Sequence, residues 1–381
     1  MLHFTTDEFA ERLRKLLAGM AERRLDAMLL FAQESMYWLT GYDTFGFCFF
    51  QSLVVRADGR MALLTRSADL RQAQLTSIIT DIRIWTDRHD ASPAAQLKAM
   101  VDDLGIRGGR IGIETDTHGL TFANGRKVEA AFSHSELVDA SDLVVRLRSV
   151  KSAAEIAHVR KAAVLSDAAD RAALAVIGPG VDEGAILAAQ HDAIFRDGGD
   201  YPANEFIIGS GAEALLCRYK SGRRRLDERD QITLEFAGVH RHYHAALMRT
   251  VVVGEPGDLH VAFHAAAREA LLACEAEIRP GRTTGDVFAA HARALDRHGL
   301  SEHRLAACGY SLGAKFTPSW MDWPMFYEGN DWVMEPGMVM FAHMILMDSS
   351  TSTAMCLART SLIGAEGSEP MNGSDLDLQV R

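Results

Sequence analysis

The chain has 381 residues, of which 48% are hydrophobic and 24% are charged, and its formal net charge is -11. This length suits two domains with cores of their own, and the acidic balance excludes the concentrated basic field that nucleic-acid binding needs. The five cysteines are widely spaced and include no Cys-x-x-Cys pair, which excludes a zinc knuckle and a disulfide framework and favours a reducing compartment.

We expect no targeting segment and no membrane segment. Residues 1–7 lack a basic-then-apolar run, so the sequence predicts no signal peptide. No apolar stretch reaches the ~18 residues that a membrane span needs. We therefore expect a cytoplasmic protein with neither a membrane nor a nucleic-acid partner.

The first 150 residues alternate between helical and extended patterns. Thr5 and Glu8 form a capping-box pattern that opens a helix, and Ser92 followed by Pro93 opens another that runs to about residue 104. The other elements predicted here are strands at Ala27–Phe31, Leu53–Arg56, Met61–Thr65, Ile82–Trp85 and Arg110–Glu114, and a helix at Leu120–Phe132. The pattern predicts an α/β domain over residues 1–150.

From residue 151 onward, helices lead into a strand-rich region. Ser152 and Glu155 form a capping box for a long amphipathic helix, which Pro179 and Gly180 end. The later predicted elements are helices at Val181–Phe195, Leu259–Ile278 and Thr284–His298, and strands at Glu205–Ser210, Gln231–Ala237, Tyr243–Val253, Met338–Leu346 and Thr353–Ile363. We predict an α+β domain at 151–367, in which helices enclose a curved antiparallel sheet, and a polar, frayed tail at 368–381.

A series of motifs, all in one order along the chain, carries a family resemblance. The motifs are Tyr37–Gly41, Ser210-Gly211-x6-Arg218, Leu234–Gly238, Tyr243–Thr250, Gly309–Gly313 and Glu335–Val339. They resemble the pita-bread family, which includes methionyl aminopeptidase, Xaa-Pro peptidases and creatinase, and they span residues from about 30 to 365. The resemblance implies a creatinase-like N-terminal domain, a pita-bread catalytic domain and a homodimer.

The resemblance also identifies the positions at which the family's peptidases bind metal. Those enzymes hold two divalent ions with two Asp, one His and two Glu side chains, and the corresponding positions here are Glu235, Ala246, Tyr310, His343 and Ala358. Alanine offers no ligand, neutral tyrosine is a poor one, and two remaining side chains cannot fill a coordination shell. We expect no metal and no cofactor, which disfavours peptide hydrolysis because the family's peptidases need metal to activate water.

Creatinase is a metal-free relative, but Arg218 stands where its catalytic histidine is expected, and a guanidinium does not shuttle protons near neutral pH. The remaining combination resembles ectoine hydrolase, another metal-free branch of the family. The segments that carry this likeness are Cys217–Tyr219, Thr233–Gly238, His242–His244 and Phe341–Asp348. The resemblance implies opening of the cyclic amidine ring of ectoine, or of its hydroxylated form, to an N-acetyl-diaminobutyrate.

A zwitterionic amidine suggests a role for each polar residue at these positions. Glu235 would act as the nucleophile or as the electrostatic partner of the amidinium, with His343 or His244 as general base for water. Arg218 would bind the substrate carboxylate. The residues predicted to donate hydrogen bonds to the substrate or to line its pocket are Tyr219, Tyr310, Trp38, Phe47 and Asp322, and the aromatic ones suit a cation.

Structural alternatives remain open for several of these residues. Glu235 could be paired with Arg249, and His244 could be a core histidine with both ring nitrogens satisfied. The same holds for Tyr310 as a volume-filling residue, Phe47 as a core residue and Asp322 as a turn residue. The alternative functions are hydrolysis of another small amidine, guanidine or lactam, a residual Xaa-Pro peptidase, and a non-catalytic binding module.

Overall fold

The computed structural model describes residues 2–218 and 224–381. The chain divides after Arg148 into two units, and the second runs from Ser149 to Arg381. Within the described ranges, no helix is both long enough and apolar enough to cross a bilayer.

The first unit contains a mixed sheet. Its strands are β1 Ala27–Leu30, β2 Ser52–Arg56, β3 Met61–Arg66, β4 Asp81–Trp85, β5 Arg110–Ile113 and β6 Glu136–Asp139. They lie in the order β4-β3-β2-β1-β5-β6, with β2 antiparallel to both of its neighbours and the other pairs parallel. The predicted α/β character of this unit is confirmed.

Two helices of the first unit begin at the predicted caps. The helices of this unit are α1 Thr6–Glu22, α2 Gln33–Thr40, α3 Leu70–Thr76, α4 Pro93–Asp103, α5 Phe122–Ala131 and α6 Ser141–Ser149. Thr5 and Ser92, the caps of α1 and α4, each accept a hydrogen bond from the backbone three residues on. The carboxylate of Glu8 departs from the predicted capping box, since it forms an ion pair with Arg12 at 3.0 Å.

Trp38 is a buried residue of a helix. It lies on α2 with 2% of its surface exposed, inside a hydrophobic cluster of the first unit. Gly41 ends α2 in a left-handed conformation, at φ 82°. Phe47 lies in a short 3-10 turn at Gly46–Cys48 and is half-buried. The burial of Trp38 argues against its predicted contact with substrate, whereas the role of Phe47 stays a prediction.

The second unit begins with two helices and continues into an extensive sheet. Its helices are α7 Ala153–Val176, α8 Glu183–Arg196, α9 Asp258–Glu277 and α10 Thr284–Arg297. The predicted capping box of α7 is confirmed, since Ser152 Oγ accepts from Glu155 N at 3.2 Å and the Glu155 carboxylate accepts from Ser152 N at 2.9 Å.

The sheet of the second unit is antiparallel along its main path. Its strands are β7 Ile207–Ser210, β8 Asp230–His240, β9 Tyr243–Val253, β10 Ala307–Ser311, β11 Asp322–Tyr327, β12 Val339–Asp348, β13 Thr353–Ile363, β14 Ser368–Pro370 and β15 Gln379–Val380. The order is β11-β10-β12-β13-β9-β8-β7, with β14 on β13 and β15 on β9. The predicted α+β class is confirmed.

The helices of the second unit cover one face of this sheet. Met340, Ala342 and Met344 of β12 pack in a hydrophobic cluster with residues of α9 and α10. On β8, Gly238 faces α7 so closely that an added Cβ would lie 2.0 Å from Ala162 O. Because side chains alternate along a strand, the odd-numbered residues of β8 and β12 point to the opposite face. That opposite face carries the candidate site.

The prediction that residues 368–381 form a frayed tail is wrong. This segment forms β14 and β15, and Arg249 Nη2 donates to Asp375 O at 2.7 Å. Asp167 on α7 accepts hydrogen bonds from the tail, including one from Gly373 N at 2.7 Å. The polar composition predicted solvation, but Gly373 and Asp375 bind partners more than a hundred residues away through their backbone atoms.

Candidate active site

The strand register brings the predicted site positions into one row. His343 of β12 lies opposite Ala358 of β13, Ala358 lies opposite Met248 of β9, and Met248 lies opposite Glu235 of β8. Directly opposed residues in a sheet share a face. Ala246 is two residues from Met248 and therefore lies on the same face.

Tyr310 completes this set from the neighbouring strand β10. It lies opposite Phe341, two residues before His343, and its ring centroid is 5.6 Å from that of His343. Its hydroxyl donates a hydrogen bond to Glu235 Oε1 at 3.1 Å. All five positions that correspond to metal ligands in the family's peptidases thus lie on one face of the sheet.

Glu235 is the acidic residue among these five positions. Only 8% of its surface is exposed. Burial raises the pKa of Glu235 to about 7, while the hydrogen bond from Tyr310 and the charge of Arg218 oppose the rise. A cation beside this carboxylate would relieve the burial penalty and favour the charged form.

Tyr310 lies between Glu235 and Trp320. Trp320 Nε1 donates to the Tyr310 hydroxyl at 3.0 Å, and both residues are buried. Burial and the neighbouring carboxylate raise the pKa of Tyr310 well above its ordinary value, so the phenol stays protonated and remains a donor. The volume-filling alternative for Tyr310 is therefore incomplete, since its hydroxyl forms two specific hydrogen bonds.

His343 presents an unused ring nitrogen. Its Nδ1 is buried and has no hydrogen-bond partner among the residues that the structure describes. Burial lowers the pKa of His343 to about 3, so the ring is neutral near pH 7. A neutral imidazole with a free nitrogen can accept a hydrogen bond from water or substrate.

His244 is a core histidine, and its predicted role as general base is not supported. Its Nε2 accepts from Ala203 N at 3.0 Å, so its Nδ1 carries the proton and faces Gly313 O at 3.3 Å. The residue is fully buried, and burial lowers its pKa to about 3. Both nitrogens are occupied, which leaves none for a catalytic water.

The proposed pair between Glu235 and Arg249 is wrong. Arg249 lies opposite Leu234, one residue from Glu235, and so points to the other face of the sheet. There its Nε lies 3.4 Å from Asp170 Oδ1 of α7. Glu235 faces the candidate site without a basic residue in direct contact among the described residues.

Arg218 and Cys217 lie beside this face, on the segment that follows β7. Arg218 is exposed, and its positive charge lowers the pKa values of both Glu235 and His343. Cys217 Sγ lies 3.8 Å from Met347 Sδ, and burial together with Glu235 raises the pKa of Cys217. Cys217 received no role from the sequence, although its position next to Arg218 was the available signal.

Asp322 and Tyr219 are the two remaining residues of this domain that were predicted to bind the substrate. Asp322 begins β11 and is therefore not a turn residue, and its Oδ1 lies 3.8 Å from Lys315 Nζ. That ion pair accounts for its charge without a substrate, so a role in binding stays a prediction. Tyr219 lies outside the described residues.

The donor set does not fit the family's two metal ions. At the five positions only Glu235 offers a carboxylate, and oxygen-rich sites for two divalent ions need several. Among residues 2–218 and 224–381, no group of three or more His, Cys, Asp or Glu side chains is arranged to hold a metal ion.

Known proteins resemble this chain over almost its whole length. It is 28% identical over 356 residues to ectoine hydrolase of Halomonas elongata, covering 88% of each chain, and 28% identical over 397 aligned positions to an uncharacterized hydrolase/peptidase of Sinorhizobium fredii, covering 100% and 99%. The Xaa-Pro dipeptidase structure from Bacillus anthracis superimposes with a TM-score of 0.85 and 22% identity over 98% of this chain and 100% of that one.

Family profiles agree with these matches. The profile of the Creatinase/Prolidase N-terminal domain matches residues 12–150, and that of Metallopeptidase family M24 matches residues 157–355. The predicted pita-bread fold and its creatinase-like N-terminal domain are confirmed. The chain belongs to metallopeptidase family M24.

Proposed function

We propose that this M24 hydrolase cleaves a C–N bond in a small cyclic amidine that also carries a carboxylate, with ectoine as the substrate, and that it does so without a metal ion. The observation that carries the proposal is the lone buried carboxylate of Glu235, which stands where the family's peptidases place a metal ligand. The similarity to ectoine hydrolase over 88% of the chain supports the same substrate class.

The charges of the site suit a zwitterion. Glu235 would face the amidinium, which can donate a charge-assisted hydrogen bond to the carboxylate through one of its ring N–H groups. Arg218 forms no ion pair with a carboxylate among the described residues, which leaves its guanidinium available to the substrate carboxylate. Ala246 and Ala358 carry no charge at positions where relatives need acidic ligands, so no second carboxylate there competes with Glu235 for the amidinium.

The chemistry follows from the electrophilic amidinium carbon. A carboxylate oxygen of Glu235 attacks that carbon, and the adduct cancels two charges in a poorly solvated place. The ring C–N bond then breaks as the departing nitrogen takes a proton from a water molecule that His343 orients through its free Nδ1. The hydroxide oxygen left by that water adds to the same carbon, the bond between this carbon and Glu235 breaks with its electron pair returning to the carboxylate, and the second water hydrogen moves to the released amine. The products are free Glu235 and an N-acetyl-diaminobutyrate.

Other members of the family support a different function. The Xaa-Pro dipeptidases share the fold, and a peptidase would need two metal ions at positions where this chain has Ala246 and Ala358. Hydrolysis of another amidine, guanidine or lactam is compatible with the same pocket. A binding module without catalysis would retain ligand affinity but no turnover.

One experiment separates these functions. Purified, chelator-treated protein is incubated with ectoine, hydroxyectoine, creatine and an Xaa-Pro dipeptide, and products are identified by NMR and mass spectrometry. We expect N-acetyl-diaminobutyrate from ectoine without added metal. Dipeptide cleavage that appears only with added Mn²⁺ would favour the peptidase, and binding without any product would favour the binding module.

The homodimer remains a proposal as well. The family resemblance implies it, and sedimentation velocity at several protein concentrations measures it directly. A species of twice the chain mass of 41.8 kDa is expected.

A further inference from the structure

Three buried side chains form one hydrogen-bonded chain that ends at Glu235. Trp320 Nε1 donates to the Tyr310 hydroxyl at 3.0 Å, and that hydroxyl donates to Glu235 Oε1 at 3.1 Å. The exposed fractions are 1% for Trp320, 3% for Tyr310 and 8% for Glu235. Water therefore competes little with either hydrogen bond.

The direction of both hydrogen bonds is fixed by the indole. An indole N–H donates and never accepts, so the Tyr310 oxygen must be the acceptor from Trp320. The single hydroxyl proton of Tyr310 is then free for Glu235. A hydroxyl that accepts a hydrogen bond is also polarised into a stronger donor.

Trp320 is itself held from two directions. Its backbone N–H donates to Asn204 Oδ1 at 3.0 Å. The residue before Asn204 is Ala203, whose N–H donates to His244 Nε2 at 3.0 Å. The indole ring packs near His244 and Phe206, at centroid distances of 6.2 and 6.4 Å. The two occupied nitrogens of His244 thus contribute to the placement of Trp320.

We propose that Trp320 is a positioning residue, which holds the Tyr310 hydroxyl as a donor to Glu235 and thereby favours the charged form of that carboxylate and orients it for reaction. The catalytic part of this inference rests on the proposed function, whereas the effect on the protonation of Glu235 does not. A Trp320 that only fills space would contribute to stability without any influence on the proton affinity of Glu235.

The test measures the proton affinity of Glu235 without substrate. The free energy of unfolding is measured against pH for each protein and for the same protein carrying Glu235→Gln, and the difference gives the pH at which Glu235 takes up its proton. We expect Trp320→Phe to raise this proton affinity about three- to tenfold, because the Tyr310 hydroxyl becomes a weaker donor.

A double-mutant comparison makes the test specific. Tyr310→Phe should raise the proton affinity of Glu235 too, and adding Trp320→Phe to it should produce no further rise, since Trp320 acts through Tyr310. The matched control is Trp85→Phe, which removes a buried indole donor to Phe50 O in the first unit and should leave Glu235 unaffected. An unchanged proton affinity in Trp320→Phe, or an equal rise in both backgrounds, would overturn the proposal.

If Trp320→Phe does not fold, Asn204→Ala is the variant that tests the proposal. It leaves the indole in place but releases the backbone of Trp320, and a smaller rise in the same direction is expected. No rise would then count against the proposal. If the protein did not turn over ectoine but the proton affinity of Glu235 rose, the proposed substrate would be wrong and the role of Trp320 would stand. If ectoine were turned over and the proton affinity did not change, the role of Trp320 would be wrong and the proposed substrate would stand.

Discussion

Two buried glutamates, one in each unit, meet the same electrostatic problem in different ways. Burial raises the pKa of both Glu114 and Glu235 to about 7. Glu114, just after β5, accepts from Phe31 N and Ala32 N at 2.8 Å each and from Ser35 Oγ at 2.6 Å. Glu235 accepts one hydrogen bond within the described part of the chain, from Tyr310.

The difference identifies which carboxylate is available for chemistry. The three hydrogen bonds to Glu114 fix the start of α2 and engage both of its carboxylate oxygens, so this residue is structural. Glu235 is also buried and has a similar proton affinity, but it has spare acceptor capacity on the sheet face that carries Tyr310 and His343. Buried polar groups are normally satisfied, and a group that is not fully satisfied calls for a ligand or a function.

The largest expected effect is on catalytic activity, which should depend on Glu235 and not on Glu114. Glu235→Gln should lower turnover by a factor of at least about 10³, because a neutral amide neither attacks an amidinium nor neutralises it. Glu114→Gln, the matched control, should retain activity per folded molecule. Steady-state kinetics on ectoine provides the measurement, and a Glu235→Gln enzyme within tenfold of the wild type would contradict the assignment.

A second difference from Glu114 is that Glu235 has a charged neighbour, Arg218, whose charge lowers its pKa. Arg218→Met should raise KM for the carboxylate-bearing substrate by about 10- to 100-fold, in line with the loss of a charge-assisted hydrogen bond. Arg218→Lys should recover only part of this, because an ammonium lacks the planar fork. An unchanged KM in Arg218→Met would remove Arg218 from the substrate site.

For stability, in contrast to activity, Glu114 should matter more than Glu235. Glu114→Ala leaves the N–H groups of Phe31 and Ala32 without their acceptor, which should lower the free energy of unfolding by about 3 kcal/mol at pH 7. Thermal and denaturant unfolding measure this loss. A loss of less than about 1 kcal/mol would show that water replaces the carboxylate and that Glu114 is not a required anchor.

The smallest expected effect is on how the free energy of unfolding changes with pH. A carboxyl whose pKa is raised keeps its proton in the folded state after the unfolded chain has released it, so stability falls as pH rises from about 4.5 to about 7. For Glu235 the total fall is about 3 kcal/mol. Glu235→Gln should lose this part of the slope, and its advantage in stability over the wild type should be largest above pH 7. Identical slopes in both proteins would show that Glu235 titrates normally.

Much of the fold and of the site arrangement could be predicted from the chain. The caps at Ser92 and Ser152 and the strands Tyr243–Val253 and Thr353–Ile363 agree with the structure, since they depend on short-range pattern. The motif order predicted which positions share a site, and the strand register places them on one face. Motif order is informative here because pairing register converts spacing along a strand into position across the sheet.

The roles of individual side chains were less predictable. His244 and His343 are the same residue type on neighbouring parts of one face, yet one has both nitrogens occupied and the other has Nδ1 without a partner. The hydrogen bond from the Trp320 indole to Tyr310 was not predicted from the sequence. The tail looked solvated because its composition is polar, and its partners lie on α7, β9 and β13.

Residue types and their order along the chain were thus enough to reveal the family and the layered architecture, and they predict the loss of metal-binding side chains, because each of these depends on local pattern and on the identity of single positions. Which donor meets which acceptor was decided by contacts between distant segments. The hydrogen bond between Ala203 and His244 spans 41 residues and that between Tyr310 and Glu235 spans 75. Hydrogen bonds require atoms within about 3 Å, and only the packed sheet and its loops set distances that fine.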